Sequence, residues 1–375
     1  MADDRQTPMR NYEGRRVTVV GTGLSGSALV KWLAGRGALV GMSESKPASL
    51  CADWVREHGS SLERMEFGGH TEAFLLSSDL IVVSPGVPLD LPPLRAAART
   101  GVPVVGELEV ALADCRARIA AVTGTNGKTT TTALLAHILT TAGIPSVIAG
   151  NIGIPVSQVV DEVGEGHVLV LEVSSYQLDA APSFRPRVGV LLNITPDHLD
   201  RYPSFEAYAA SKASVFANQG PDDLAVLNRS DPRCAALAPG LRARVRWFDS
   251  SSAGIEGAGV EDGWVVLCEG GRRTRVLRVA ELPLPGAHNL ENALAACAAA
   301  AALGASARGL AEGVRSFAGV EHRLEPAGTV GNVRFVNDSK ATNVASLEKA
   351  LASFPVPVVL IAGGHGLLVG MPGMA

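Results

Sequence analysis

The chain has 375 residues, of which 47% are hydrophobic and 19% are charged, and its formal net charge is −4. This length allows two or three domains with separate cores, and the weak net charge argues against a surface that binds nucleic acids or anionic membranes. The five cysteines are scattered without a C-x-x-C pair, which argues against a disulfide framework or a zinc site and favours a reducing cytoplasm. The polar N-terminus lacks a signal-peptide core, and the alanine-rich stretch 293–305 is too short to span a bilayer.

The first predicted element is a buried strand that begins at Arg16 and runs into the pattern Gly21-x-Gly23-x-x-Gly26. A helix over about 27–36 and a second strand over about 38–42 follow, and that strand leads to Glu44. An acidic residue at this distance from the loop meets a ribose hydroxyl in dinucleotide-binding folds, so a dehydrogenase is one interpretation. Further strands over 80–83 and 102–105 predict a parallel sheet in a first domain that closes near residue 106.

A second glycine-rich loop follows the apolar strand 119–122. It contains Gly124 and Gly127, then Lys128, Thr129 and a helix-compatible segment over 130–139. Glycines let the backbone approach a polyphosphate, the lysine adds positive charge, and the threonine hydroxyl can ligate magnesium. The spacing is shorter than G-x-x-x-x-G-K-[ST], because Val122 stands where that pattern has its first glycine. We predict a nucleotide triphosphate site here; an ordinary strand-to-helix turn is the alternative.

Polar side chains follow the next two predicted strands, 168–173 and 188–192. Glu172 lies within an otherwise apolar strand and therefore needs a cation or a hydrogen-bond partner. Thr129, Glu172 and phosphate oxygens suit magnesium. His198, after the second strand, is either a metal ligand or a hydrogen-bonded structural residue, and Lys212 on a helix over 205–217 is by default a solvated surface lysine.

The segment 241–280 predicts a small antiparallel patch, with short strands at 245–248, 264–267 and 274–277. An alanine-rich helix to about residue 303 follows. Asn289 and Asn292 lie three residues apart on one face of this helix, where they either cap its start or contact an adenine and its ribose.

The last segment predicts a β-α-β unit, with a strand over 333–336, a helix over 344–354 and a strand over 356–361. About 55 residues are near the lower limit for an independent core. We therefore expect an incomplete third domain.

Taken together, the motifs resemble those of the Mur ligase family, in the family's order, from about residue 16 to residue 364. They are Gly124-Thr-Asn-Gly-Lys-Thr129, Gly150-Asn-Ile-Gly153, Leu171-Glu-Val-Ser-Ser-Tyr-Gln177, Asn193-Ile-Thr-Pro-Asp-His-Leu-Asp-Arg-Tyr202, His288-Asn-Leu-Glu-Asn292, His322-Arg323 and Asn337-Asp-Ser-Lys-Ala-Thr-Asn343. Folylpolyglutamate synthetases share the features of the central segment, but a resemblance to them would not account for the first domain.

The resemblance implies an α/β protein with a Rossmann-like substrate domain (1–106), a central P-loop ATPase-like domain with the antiparallel patch (107–319) and an incomplete Rossmann-like C-terminal domain (320–375). It also implies a monomer that acts with ATP and Mg²⁺ and adds D-glutamate to UDP-N-acetylmuramoyl-L-alanine, without a nicotinamide, nucleic acid or membrane insertion. Because the third domain is expected to be incomplete, a non-catalytic nucleotide or UDP-sugar binder is the alternative. A related ligase for another amino acid is a third, weaker interpretation.

The site residues that the resemblance implies fall into four groups. The ATP-binding residues are Gly124, Thr125, Asn126, Gly127, Lys128, Thr129, Thr130, Asn289, Asn292, Arg323 and Asp338. The substrate-binding residues are Leu24, Ser25, Glu44, Ser84, Gly86, Asn151, Ser175, Gln177 and Thr342. The metal-binding residues are Thr129, Glu172, His198 and Lys212, and the catalytic residues are Lys128, His198, Lys212 and Lys340. Lys212 matches the family's carbamylated lysine, whose carbamate is an anionic oxygen ligand.

Overall fold

The structure of the chain, a computed structural model, describes residues 10–252, 254–341, 344–354 and 356–363. Its strands are β1 (Arg16–Val20), β2 (Leu39–Glu44), β3 (Arg64–Phe67), β4 (Leu80–Val83), β5 (Val104–Gly106), β6 (Arg118–Thr123), β7 (Ser146–Gly150), β8 (Val168–Glu172), β9 (Val188–Leu191), β10 (Leu224–Asn228), β11 (Arg244–Asp249), β12 (Gly257–Glu261), β13 (Trp264–Glu269), β14 (Arg272–Arg278), β15 (Glu325–Val330) and β16 (Val333–Asn337).

The helices are α1 (Leu24–Ala34), α2 (Ala52–His58), α3 (Glu72–Leu76), α4 (Pro92–Arg99), α5 (Glu107–Ala111), α6 (Lys128–Thr141), α7 (Val156–Val159), α8 (Ser175–Asp179), α9 (Phe205–Ala213), α10 (Pro232–Leu237), α11 (Ala287–Ala302), α12 (Ala307–Arg315) and α13 (Val344–Leu351). Contacts divide the chain into two units. The first contains the residues up to Ala121, Val147–Arg187 and His198–Gly220, and the second contains Val122–Ser146, Val188–Asp197 and the residues from Pro221 onwards.

The first unit contains a five-stranded sheet in the order β3-β2-β1-β4-β5, and every pair in it is parallel. Val17, Val19 and Val20 on β1 are fully buried, as expected for a parallel strand that is covered on both faces. The same unit contains β8 and β7, which continue from β6 in the order β6-β8-β7. In the five-stranded sheet, all strands are parallel, so the loops that follow β1, β2 and β4 lie at one edge. These are the loops at 21–26, 44–46 and 84–87.

In the second unit, the end of β6 and six further strands pair in the order β6-β9-β10-β11-β12-β13-β14, and β15 and β16 form a separate two-stranded sheet. Helix α11 is buried on most sides along 292–300, which is typical of an apolar helix inside a core. Helix α12 packs closely on α6, because Gly313 faces the backbone of Ile138 and Gly309 faces Ala142. This packing fixes the helix that follows the second glycine-rich loop.

The predicted α/β class is confirmed, but two local predictions are wrong. The segment 245–248 lies in β11, which pairs in parallel with β10 and β12, so the antiparallel patch consists of β12, β13 and β14. The predicted strand 356–361 has no strand structure, because within the described residues no neighbouring strand supplies its ladder hydrogen bonds, and Val359 is 93% exposed. Instead, β16 forms an antiparallel pair with β15, which the sequence did not indicate.

Candidate functional site

The loop after β1 is a tight turn that leads into α1. Gly21 has φ of 99°, and a Cβ on Gly26 would collide with the carbonyl oxygen of Gly21. Ser84, at the end of β4, donates a hydrogen bond from Oγ to that same carbonyl oxygen at 3.2 Å. The glycines are therefore required by the turn and by its contact with the next strand end. Leu24 and Ser25 form the exposed and half-buried start of α1.

Glu44 is already bound by the chain itself. Its Oε2 accepts hydrogen bonds from Thr22 N at 2.8 Å and Thr22 Oγ1 at 2.6 Å, and its Oε1 accepts them from Lys46 N and Ser45 Oγ. Burial raises the pKa of Glu44, but these hydrogen bonds outweigh it and lower the pKa to about 2. Both carboxylate oxygens thus hold the loops 21–26 and 44–46 together, which disfavours the ribose contact of a dinucleotide site.

The second glycine-rich loop surrounds the amine of Lys128. Gly124 and Gly127 have φ of 151° and 88°, and α6 begins at Lys128. Lys128 Nζ donates to the carbonyl oxygens of Gly124 and Thr125, both at 2.9 Å. Asn193 fixes the tip of the loop, because its Oδ1 accepts from Asn126 N at 2.9 Å and its Nδ2 donates to Asn126 O at 3.0 Å. The lysine charge is thus held inside the loop.

A pocket opens beside this loop in the second unit. It brings together eight of the predicted ATP-binding residues: Asn126, Gly127, Thr129, Thr130, Asn289, Asn292, Arg323 and Asp338. Its other lining residues are Asn193, Leu284, His288, Glu291, Val320, Leu324 and Ala350. The apolar members of this second group were missed by sequence reasoning, because single aliphatic residues carry no pattern that separates a pocket wall from a core.

The two asparagines of α11 face the pocket and do not cap the helix. The residue before α11 is Gly286, which has no side chain. Asn292 Nδ2 donates to Asn289 Oδ1 at 3.2 Å, and Asn289 Nδ2 donates to Pro285 O at 2.7 Å. A Cβ on Gly127 would collide with Asn292 Oδ1, so this glycine lets α11 approach the loop.

Asp338 is half-buried at the pocket edge. Burial raises its pKa, and the hydrogen bond that its Oδ1 accepts from Leu324 N at 3.2 Å opposes the rise. Lys340 is exposed and is not among the pocket residues, although its backbone N–H donates to His322 O at 3.3 Å. Thr342 lies outside the described residues.

Glu172 has the hydrogen-bond partner that its burial requires. Its Oε1 accepts from Asn151 Nδ2 at 2.7 Å, and its backbone carbonyl accepts from Asn151 N at 2.9 Å. Next to it, Ser174 and Gln177 form a capping box at the start of α8. Ser175, the first residue of α8, is buried and its carbonyl accepts from Ser211 Oγ at 3.1 Å.

Lys212 is only 2% exposed, so the interpretation as a solvated surface lysine is wrong. Its Nζ lies 4.6 Å from the ring centroid of Tyr208, one turn earlier on α9. A buried cationic amine is costly to desolvate without a partner. The carbamate that the resemblance implies would instead be an anionic oxygen ligand, whose burial is as costly unless a cation binds it.

His198 belongs to an aromatic cluster that sequence reasoning missed. The cluster contains three of the four tyrosines of the chain, and the His198 ring centroid lies 5.1 Å from that of Tyr176 and 6.0 Å from that of Tyr208. Tyr202 stacks on Tyr176 at 6.0 Å and donates from its hydroxyl to Asp179 at 2.6 Å. Burial and Asp179 raise the pKa of Tyr202.

Two further findings bear on the predicted chemistry. In the described part of the chain, no group of three or more His, Cys, Asp or Glu side chains could hold a metal ion. None of the helices formed by the described residues combines the length and the apolarity that a bilayer crossing requires.

Two family models match the chain: "Mur ligase MurD-like, N-terminal domain" over residues 15–106 and "Mur ligase middle domain" over residues 122–300. The chain is 48% identical over 356 residues to the UDP-N-acetylmuramoylalanine–D-glutamate ligase of Pelotomaculum thermopropionicum, which covers 95% of this chain and 78% of the relative. It is 44% identical over 355 residues to the protein of that name from Desulfitobacterium hafniense, with 94% and 78% covered.

A solved structure supports the fold. The UDP-N-acetylmuramate–alanine ligase of Thermotoga maritima superimposes with a TM-score of 0.55 at 22% identity, over 90% of this chain and 77% of that one. At this identity the likeness concerns the fold alone.

Proposed function

The chain belongs to the Mur ligase family, and we propose that it is an ATP-dependent ligase that joins D-glutamate to UDP-N-acetylmuramoyl-L-alanine in peptidoglycan precursor synthesis. The curated relatives reported above are named as ligases of this type, which supports this function over a non-catalytic nucleotide or UDP-sugar binder.

The observation that carries the proposal is the arrangement around Lys128. Its amine is held 2.9 Å from two carbonyl oxygens of its own loop, beside a pocket that collects eight predicted ATP-binding residues. A lysine that is already held in this way loses little conformational freedom when a phosphate binds. Its charge is therefore preorganised for the phosphoryl group. The loop amides and the start of α6 add donors for the same anion.

The reaction then follows from charge. The terminal alanine carboxylate attacks the γ-phosphorus of ATP, and Lys128 neutralises the charge that spreads over the phosphoryl oxygens. The products of this step are an acyl phosphate and ADP. The amine of D-glutamate attacks the activated carbonyl, and the tetrahedral intermediate expels phosphate and leaves the amide.

Mg²⁺ would supply additional neutralisation of phosphate charge. In the second unit, Thr129 offers a hydroxyl at the start of α6. In the first unit, Glu172, His198 and a carbamylated Lys212 remain the proposed ligands, and Asn151 would orient the Glu172 carboxylate. We also propose Lys340 and Thr342 near the reacting groups.

We propose that the first domain binds the UDP part of the substrate through Leu24, Ser25, Ser84 and Gly86, and that Glu44 serves this site by holding the loops 21–26 and 44–46 together. The hydrogen bonds that the Glu44 carboxylate accepts from Thr22, Ser45 and Lys46 are consistent with this structural role. Asn151, Ser175 and Gln177 are proposed to border the muramoyl part. We retain the domain boundaries 1–106, 107–319 and 320–375, a monomer and a cytoplasmic reaction as parts of the proposal.

The test is ADP release with ATP, Mg²⁺ and UDP-N-acetylmuramoyl-L-alanine, measured with and without D-glutamate, together with mass spectrometry of the product. We expect release that depends on D-glutamate and an amide product. Other amino acids in place of D-glutamate test the acceptor. The absence of both ADP and amide at saturating substrates would contradict the proposal and favour the binder.

A further inference from the structure

We propose that Arg201 is a positioning residue that clamps the loop after β4, here called the β4 loop (Ser84–Val87), and thereby holds the UDP-substrate site in its binding geometry. The inference rests on the proposed function, because that function places the UDP part of the substrate at Ser84 and Gly86. Arg201 is not one of the predicted site residues.

The clamp consists of two hydrogen bonds from one guanidinium to consecutive backbone carbonyls. Arg201 Nη1 donates to Gly86 O at 3.2 Å, and Nη2 donates to Val87 O at 3.0 Å. A planar guanidinium with two fixed donors matches such a pair of acceptors, whereas a lysine ammonium is a point charge without this fork. Gly86 is exposed, so the side chain supports a segment that packing alone covers poorly.

The β4 loop transmits this support to the first glycine-rich loop. Val87 N donates to Ser84 O at 2.9 Å, which closes a turn, and Ser84 Oγ donates to Gly21 O at 3.2 Å. Atoms of Ser84 and Val87 lie so close to Gly21 that a Cβ there would meet them at 3.1 to 3.3 Å. A shift of Gly86 and Val87 would therefore disturb the turn that begins the UDP-substrate site.

Arg201 is itself held from two sides. Its guanidinium carbon lies 4.0 Å from the ring centroid of Tyr176, a cation–π contact. Its backbone N–H and that of Tyr202 both donate to His198 O, at 3.0 and 3.1 Å, in a turn where His198 has φ of 54°. One turn thus carries both the clamp and the histidine proposed to serve the metal.

A second pocket, which Arg201 lines together with Tyr176 and Tyr202 in the first unit, provides a matched control. Arg95 lines it together with Arg201 and faces Asp90 at 3.8 Å as an exposed ion pair. Surface ion pairs of this kind contribute little to stability. Arg95→Ala therefore removes a guanidinium from the same pocket without removing the two carbonyl bonds.

The first experiment measures binding of UDP-N-acetylmuramoyl-L-alanine and, separately, of ATP by calorimetry to the full chain carrying Arg201→Ala, Arg201→Lys or Arg95→Ala. We expect Arg201→Ala to weaken UDP-substrate binding about 10-fold or more, Arg201→Lys to weaken it by a smaller factor, and Arg95→Ala to leave it within about twofold. ATP binding should stay within about twofold in all three. Unchanged UDP-substrate binding in Arg201→Ala, or equal losses for both ligands, would overturn the proposal.

The second experiment needs no ligand. Amide hydrogen exchange of peptides that cover 84–90 should be faster in Arg201→Ala than in the wild type and in Arg95→Ala, because the clamp no longer restrains the turn. Equal exchange in all three proteins would overturn the clamp. If exchange responds while the wild type fails to bind UDP-N-acetylmuramoyl-L-alanine, the clamp stands as a structural device and the proposed function fails. Arg201→Lys serves both experiments if Arg201→Ala does not fold.

Discussion

The two glycine-rich loops look alike in sequence, since each joins a buried strand to a helix, yet their glycines and charges serve different ends. In the first loop, Gly26 makes room for the carbonyl of Gly21, so the glycine serves the turn itself. In the second, Gly127 makes room for Asn292 of another helix, so the glycine serves the assembly of a pocket. The first loop is tied to a carboxylate and the second encloses an amine. The neighbouring side chains, more than the loop shape, thus decide which chemistry each loop supports.

The largest effect should come from the charge in the second loop. Lys128→Ala should reduce ADP formation about 1,000-fold or more, because no other group in the loop brings a cation to the transferred phosphoryl. Single-turnover ADP release measures this. Lys31→Ala in α1, after the first loop, removes an exposed lysine paired with Glu57 at 3.1 Å and should leave the rate unchanged. Near-normal ADP formation in Lys128→Ala would erase the contrast between the loops.

The glycines should separate the two ligands. Gly127→Ala should raise the KM for ATP about 10-fold or more, because its φ of 88° and the contact with Asn292 both oppose a side chain. Gly26→Ala should instead weaken UDP-substrate binding. Gly23→Ala is the control, since a Cβ there meets nothing within 4 Å. If either substitution impairs both ligands equally, the loops are not independent in the way described.

The carboxylate of the first loop should show itself as pH-dependent stability. The pKa of Glu44 falls from 4.5 to about 2 on folding, so its contribution is present above the unfolded value and is lost as the pH falls towards 2. Glu44→Gln should lower the free energy of unfolding by about 2 to 3 kcal/mol at pH 7, and its difference from the wild type should shrink between pH 5 and 3. Urea unfolding measures both. The exposed Glu63→Gln, by comparison, should change stability by less than about 0.5 kcal/mol.

The smallest effect, with the opposite sign, is expected at Glu107, a second buried carboxylate of the first unit. Burial raises its pKa, and the hydrogen bonds that it accepts from Ser157 N at 2.9 Å and Ser157 Oγ at 2.7 Å oppose the rise only in part. Its ionisation therefore costs stability as the pH rises above 4.5. Relative to Glu107→Gln, the wild type should therefore become more stable as the pH falls from 7 towards 4.5, because burial favours the protonated carboxyl. A wild type that instead loses stability relative to this variant over that range would contradict the sign.

The sequence predicted those parts of the fold in which the interacting residues are adjacent in the chain. Gly21-x-Gly23-x-x-Gly26 and Gly124 to Thr129 were placed on strand–loop–helix units because the strand, the turn and the helix start are adjacent in the chain. The segment 356–361 has the composition of a strand, but a strand also needs a partner, and pairing is not encoded within the segment. The parallel pairing of β11 was missed for the same reason.

Side-chain roles that depend on distant backbone were not predictable. Arg201 binds the carbonyls of Gly86 and Val87, which lie 115 and 114 residues earlier, and backbone carbonyls leave no mark in a sequence. From sequence, Lys212 is a solvated surface lysine by default, because lysines are rarely fully buried unless they are paired. In the structure it is buried beside Tyr208. The partner of Glu172 is an exception, because the sequence predicts that one exists. A carboxylate within an apolar strand is costly to bury without a partner.

The alanine-rich helix α11 has a consequence for nucleotide binding. Alanine loses no side-chain rotamer entropy when it is buried and has the highest intrinsic helix propensity. The run 293–300, which consists of alanines apart from Leu294 and Cys297, therefore orders the helix at low entropic cost before any ligand arrives. Asn289 and Asn292 lie in the first turns of this ordered helix. Little of the interaction energy with a nucleotide is therefore needed to order these two residues.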